Sequence, residues 1–229
     1  TKRNTKIAII SKSIIPDISI IDPRTLTTVP EYLTACTGID ALVHAIEAYV
    51  SNGSSLITDH NALEAIRLIN ENLKGSIKSR MNLEYNEKMM LGSMYAGFAF
   101  SNASLGAVHA MAHSLGGLKD LPHGECNALL LNSVIDFNFP FCSDRYIEIG
   151  KIFYDKIKNE IPENRLKVLL EVLEDFKNQC GIEGGLKERG ILAEEFQELA
   201  EKAELDPCLL TNPREADKNE LEDLYYAAY

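Results

Sequence analysis

Asp40 and His44 stand four residues apart, as do His109 and His113, and His123 follows ten residues later. Four of the five histidines in the chain fall in these two blocks. On a helix, a spacing of four puts both side chains of a pair on one face, about one turn apart. One carboxylate, several imidazoles and no neighbouring cysteine pair make a nitrogen–oxygen donor set suited to a divalent metal. Such a centre does Lewis-acid chemistry on oxygen.

Taken alone, Asp40 and His44 read as an intrahelical polar pair worth about 0.2–0.5 kcal/mol. The second block changes that reading. His109 and His113 lie in the otherwise apolar run Gly106-Ala107-Val108-His109-Ala110-Met111-Ala112-His113, where buried polar groups need partners. A metal shared with Asp40 and His44 satisfies them, and a chain reversal before His123 returns a third imidazole to the same place. Spacing leaves open which three or four of these five residues bind. His60, beside Asp59 in the opening turn of a second helix, reads as an ordinary hydrogen-bonded histidine.

The elements that must position these residues are mainly helical. Residues 7–10 and 18–21 are short β-branched runs around Ile15-Pro16-Asp17, which predicts two short N-terminal strands and a turn. From Pro30 a long helix is expected to about residue 51, ended by Asn52-Gly53-Ser54-Ser55. Further helices are expected over about 59–78, 85–103 and 106–115. The third is crowded with small residues and therefore central, and the fourth is stopped by Gly116-Gly117. After the reversal at 118–122 another helix opens at His123. Leu166, Leu169, Leu170, Leu173 and Phe176 form a later apolar stripe ended by Gly181, and 194–204 reads as a solvated acidic face. Asp217 and Glu220 resemble a capping box for a terminal helix. No strand, Gly-rich turn and helix combine into a phosphate loop.

A length of 229 residues fits one large domain or two small ones. The net charge of −11 without a basic cluster argues against nucleic acid and anionic membrane as partners. No apolar run approaches the ~20 residues of a membrane span, and the run Ile7-Ala8-Ile9-Ile10 is too short for a signal peptide. Five scattered cysteines without C-x-x-C imply neither a disulfide framework nor a zinc–thiolate site, so a reduced, cytoplasmic setting is expected. The opening, in mid-strand and without an initiator methionine, is that expected of a fragment.

Several blocks resemble one family. Thr34-Ala35-Cys36-Thr37-Gly38-Ile39-Asp40-Ala41-Leu42-Val43-His44-Ala45-Ile46-Glu47-Ala48-Tyr49 is similar to the helix signature of the iron-containing (group III) alcohol dehydrogenases. So are Ala96-Gly97-Phe98-Ala99-Phe100-Ser101-Asn102-Ala103 and the block from Gly106 to Gly117. Pro122-His123-Gly124 followed by Asn127-Ala128 completes the pattern, which recurs weakly at Asn212-Pro213-Arg214. Asn132-Ser133 departs from it, where the family usually has a proline.

The resemblance implies the helical C-terminal domain of the dehydroquinate-synthase-like, iron alcohol dehydrogenase fold. Residues 1–29 are then the junction with a missing nucleotide-binding domain, and 30–229 the metal-binding domain. It implies Asp40, His44, His109 and His123 as metal ligands, and His113 as a catalytic and cofactor-contacting residue outside the ligand set. The implied cofactors are Fe2+, with Zn2+ or another divalent metal as substitutes, and NAD or NADP bound through the missing domain. The implied substrate is a small alcohol or aldehyde, and the implied assembly a homo-oligomer. The isolated chain is then expected to be inactive. Rival readings of the same residues are a related polyol dehydrogenase, a metallo-hydrolase and a non-catalytic helical metal-binding module.

Overall fold

The computed structural model describes residues 11–229, and these form helices joined by short turns. The helices are α1 (Glu31–Val50), α2 (Leu56–Lys78), α3 (Leu83–Ala103), α4 (Ala107–Lys119), α5 (His123–Phe153), α6 (Pro162–Gln179), α7 (Phe196–Glu204) and α8 (Lys218–Ala227). The expected mainly α architecture holds. The expected strand over 18–21 does not form, and no strand occurs among the described residues. The β-branched composition of 18–21 favours extended backbone, but a strand also needs a neighbour for its N–H and C=O groups. Ile18 and Ile20 are instead 80% and 87% exposed. The strand expected over 7–10 lies outside the described residues.

Helix α1 is the hub, with 14 of its 20 residues buried. It packs on α2 and α3 on one side and on α5 on another. Fully buried Ile39, Leu42 and Ile46 anchor it, each worth about 1.5–3 kcal/mol of burial. Arg145 of α5 ties off its end. The guanidinium donates to the Tyr49 carbonyl at 2.7 Å, lies 4.0 Å over the Tyr49 ring and pairs with Asp59 of α2.

Two helix boundaries and one burial pattern differ from the spacing-based expectation. Helix α2 starts at Leu56 rather than residue 59, because Ser55 and Thr58 form a reciprocal cap. Leu56 and Ile57 are exposed, so apolar periodicity could not report that turn. Helix α4 runs through Gly116 and Gly117 to Lys119. Two helical glycines cost about 1 kcal/mol each, and packing of α4 on α5 and α7 offsets this. The acidic stretch 194–204 is only half solvated: Phe196, Leu199, Ala200 and Ala203 of α7 are buried.

Helix α5 is interrupted at Cys142 (φ −149°, ψ 41°), two residues past Pro140, whose ring and missing N–H disturb the helical ladder. The capping box of α8 forms as expected. Its Tyr225 is fully buried and donates to the Met111 carbonyl at 2.8 Å, fastening α8 to α4. All five cysteines are free thiols. No helix among the described residues is long and apolar enough to cross a membrane.

Candidate metal centre

Helix α1 contributes Asp40 and His44 from one face. His44 Nδ1 lies 2.8 Å from the Asp40 carbonyl oxygen. A carbonyl only accepts, so Nδ1 carries the proton and Nε2 keeps its lone pair. Glu47 follows three residues later on the same face and is 3% exposed.

Helix α4 contributes His109, which is fully buried. Its Nδ1 lies 2.6 Å from Glu47 Oε2, and its Nε2 faces Asp40 Oδ1 at 3.7 Å. Helix α5 contributes His123 at its first residue, with Nε2 3.8 Å from the same Asp40 oxygen. Donor atoms of Asp40, His44 and His109 all lie within 4.8 Å of one another.

The charges of the centre are coupled. Burial disfavours a charged His109, but the nearby Asp40 and Glu47 carboxylates outweigh it and raise the imidazole to about 9. Burial and the neighbouring His109 push His44 down to about 4. Burial raises Asp40, yet the surrounding imidazoles of His109, His44 and His123 bring it to about 2. A metal ion at this centre has to displace any proton held on the ring nitrogen that it binds.

The Asn127 side chain tests whether the donors converge. Its Nδ2 lies 2.6 Å from Asp40 Oδ1, 3.2 Å from His109 Nε2 and 3.5 Å from His123 Nε2. One electropositive N–H group thus sits where three lone-pair atoms meet, while Asn127 Oδ1 is buried and unpaired. One carboxylate and three imidazoles around such a point fit a divalent cation of the iron and zinc type.

His113 has a carboxylate partner of its own. Its Nδ1 lies 2.8 Å from Asp206 Oδ2, and its ring stacks on His123 with centroids 5.2 Å apart. Asp206 also accepts from the Cys208 N–H at 2.9 Å, capping the short 3-10 turn Pro207–Thr211. Burial raises the Asp206 carboxyl, but the hydrogen bonds from His113 and from Cys208, together with the field of His113, reverse this and hold it below its ordinary value. His60 is exposed on α2 and is not brought to the centre.

Sequence reasoning missed Glu47, Asn127 and Asp206 as parts of the site. Glu47 carried a usable signal, as a charged residue three past His44 in an apolar helix. Asn127 sits one turn after His123. Asp206 has no local signal, because its partner is 93 residues away.

Residues 34–229 match the family model described as Fe-containing alcohol dehydrogenase family, C-terminal. Alcohol dehydrogenase 4 of Saccharomyces cerevisiae is 42% identical over the whole chain, which spans 59% of that protein. The NAD-dependent methanol dehydrogenase of Bacillus methanolicus is 35% identical over 93% of the chain and 56% of its own length. The solved structure of a 1,3-propanediol oxidoreductase superposes with a TM-score of 0.91 at 37% identity, covering 94% of the chain and 56% of that structure. The chain thus spans less than two thirds of the relatives it matches. With a family match from Thr34 to the last residue, and a fold that gathers the signature residues of α1, α4 and α5 around one point, the chain belongs to the iron-containing alcohol dehydrogenase family, of which it carries the C-terminal region.

Proposed function

We propose that this chain supplies the metal-binding half of an NAD(P)-dependent alcohol dehydrogenase or aldehyde reductase, with Asp40, His44, His109 and His123 as ligands. The carrying observation is the convergence of His109 Nε2 and His123 Nε2 on Asp40 Oδ1, at 3.7 and 3.8 Å. Family membership favours Fe2+, and the donor chemistry also accepts Zn2+. A single carboxylate among the ligands leaves a bound divalent ion with a net charge of about +1, and such a cation supplies Lewis acidity toward an alcohol or carbonyl oxygen.

The chain's own residues do the rest. Asp40 and the three imidazoles hold the centre in a largely buried setting, where electrostatic effects are strong. His113 holds its Nδ1 proton on Asp206, which leaves Nε2 free to take or return the hydroxyl proton or to contact the nicotinamide. Hydride chemistry belongs to the dinucleotide, and the protein positions donor and acceptor. The dinucleotide comes from an α/β domain joined through residues 1–29, with 30–229 as the metal-binding domain. In support, the family model that residues 34–229 match describes the family's C-terminal region.

Elemental analysis tests the ligand set. The purified chain loaded anaerobically with Fe2+ should hold one metal ion, and His109→Ala and His123→Ala should lose it. Full metal in both variants would sink the assignment. Titration of NAD(H) and NADP(H) into the same chain, followed by assay with small primary alcohols and aldehydes, tests the division of labour. Micromolar nucleotide binding with turnover would overturn it.

A further inference from the structure

We infer that Glu47 is the positioning residue of the metal centre: it fixes which nitrogen of His109 faces the cation and docks α4 onto α1 in the required register. The inference rests on the ligand set proposed above and adds a residue outside it. A buried carboxylate is costly unless its oxygens are used, and Glu47 uses both. Oε2 accepts from His109 Nδ1 at 2.6 Å, and Oε1 accepts from the Val108 N–H at 2.7 Å. The His109 N–H also faces Oε2, at 3.4 Å.

Val108 and His109 are the second and third residues of α4, whose backbone donors have no partner within the helix. The residue before α4, Gly106, provides no side-chain cap. A Cβ there would lie 2.9 Å from Glu47 Oε1 and 2.8 Å from Asn212 Oδ1. The missing side chain is what admits the carboxylate, and a negative charge at a helix N-terminus is favourable.

The consequence for the centre is geometric. With Nδ1–H committed to Glu47, the only lone pair of neutral His109 is on Nε2, which points at Asp40. Carboxylate acceptors behind metal-bound histidines fix ring orientation and raise ligand basicity. Asp40, His44 and Glu47 occupy one face of α1, so a single helix carries two ligands and the clamp for a third. The same contact separates His109 from His113. Both are histidines of α4, but the Nδ1–H of His113 donates to Asp206 instead.

The test uses the 229-residue chain and Zn2+ as a diamagnetic probe. Chelator competition should show that Glu47→Gln weakens Zn2+ binding by about 10- to 100-fold, beyond any change in the melting temperature of the metal-free protein. Glu47→Gln with wild-type Zn2+ affinity would overturn the inference while leaving the ligand set intact. Should His109→Ala keep its Zn2+, the ligand set falls and the inference with it. If Glu47→Gln does not fold, nitrogen-15 histidine spectra of wild type decide. His109, assigned by its loss in His109→Ala, should show Nε2 bound to zinc and a proton on Nδ1. Zinc on Nδ1 would overturn the inference.

Discussion

The α-carbon of Gly124 is seated against the backbone of Cys36: a Cβ built on Gly124 would lie 1.9 Å from the Cys36 carbonyl oxygen. This contact brings the first turn of α5, and with it His123, onto α1 one turn before Asp40. No side chain fits there without separating the helices. Gly124→Ala should therefore destabilise the chain by about 1–3 kcal/mol or more and weaken metal binding, because His123 moves away from Asp40. Urea unfolding and a metal titration check both effects, and wild-type values in both would refute the close approach.

His113 lies on the same helix as His109 but is committed to Asp206. His113→Gln should keep the metal content of wild type, whereas His109→Ala should not. In a complete enzyme containing this chain, His113→Gln should change turnover or its pH dependence. Elemental analysis separates the two histidines, and comparable metal loss from both would make His113 a ligand.

Asp206 should make stability pH-dependent in a defined direction. Burial opposes its charge, but hydrogen bonds from His113 and the Cys208 N–H hold its folded carboxyl below the ordinary value of 3.8. The stabilisation is thus fully present above about pH 4 and is lost as pH falls through the folded value. Asp206→Asn should cost about 1.5–3 kcal/mol at pH 7, and the difference should shrink below pH 4. Urea melts across this range measure it, and a constant difference would contradict the assignment.

Asn212 closes a buried amide network around the start of α4. Its Oδ1 accepts from the Ala107 N–H at 3.1 Å and from Asn138 Nδ2 at 2.9 Å. Its Nδ2 donates to Asn138 Oδ1 at 2.8 Å and to the Arg214 carbonyl at 2.6 Å. Asn212→Ala leaves several of these groups unpaired, at about 1–3 kcal/mol each. A loss of less than the lower of those values in chemical denaturation would show that water replaces the amide.

Helical periodicity is local, so the sequence alone determined that Asp40 and His44 share a face of α1 and that His109 and His113 share one of α4. Residue types then set the nitrogen–oxygen donor chemistry, and the motif order pointed to the family. The same periodicity treats His109 and His113 alike. Only the approach of the start of α4 to Glu47 of α1 and the turn at Pro207–Thr211 gives one histidine to Glu47 and the other to Asp206, across 62 and 93 residues. Asn127 joins the centre because α5 seats its first turn on α1, and no spacing within α5 encodes that. The run 18–21 shows the converse: β-branched residues favour an extended chain, but a strand exists only where a second strand pairs with it, and that is a property of the tertiary structure.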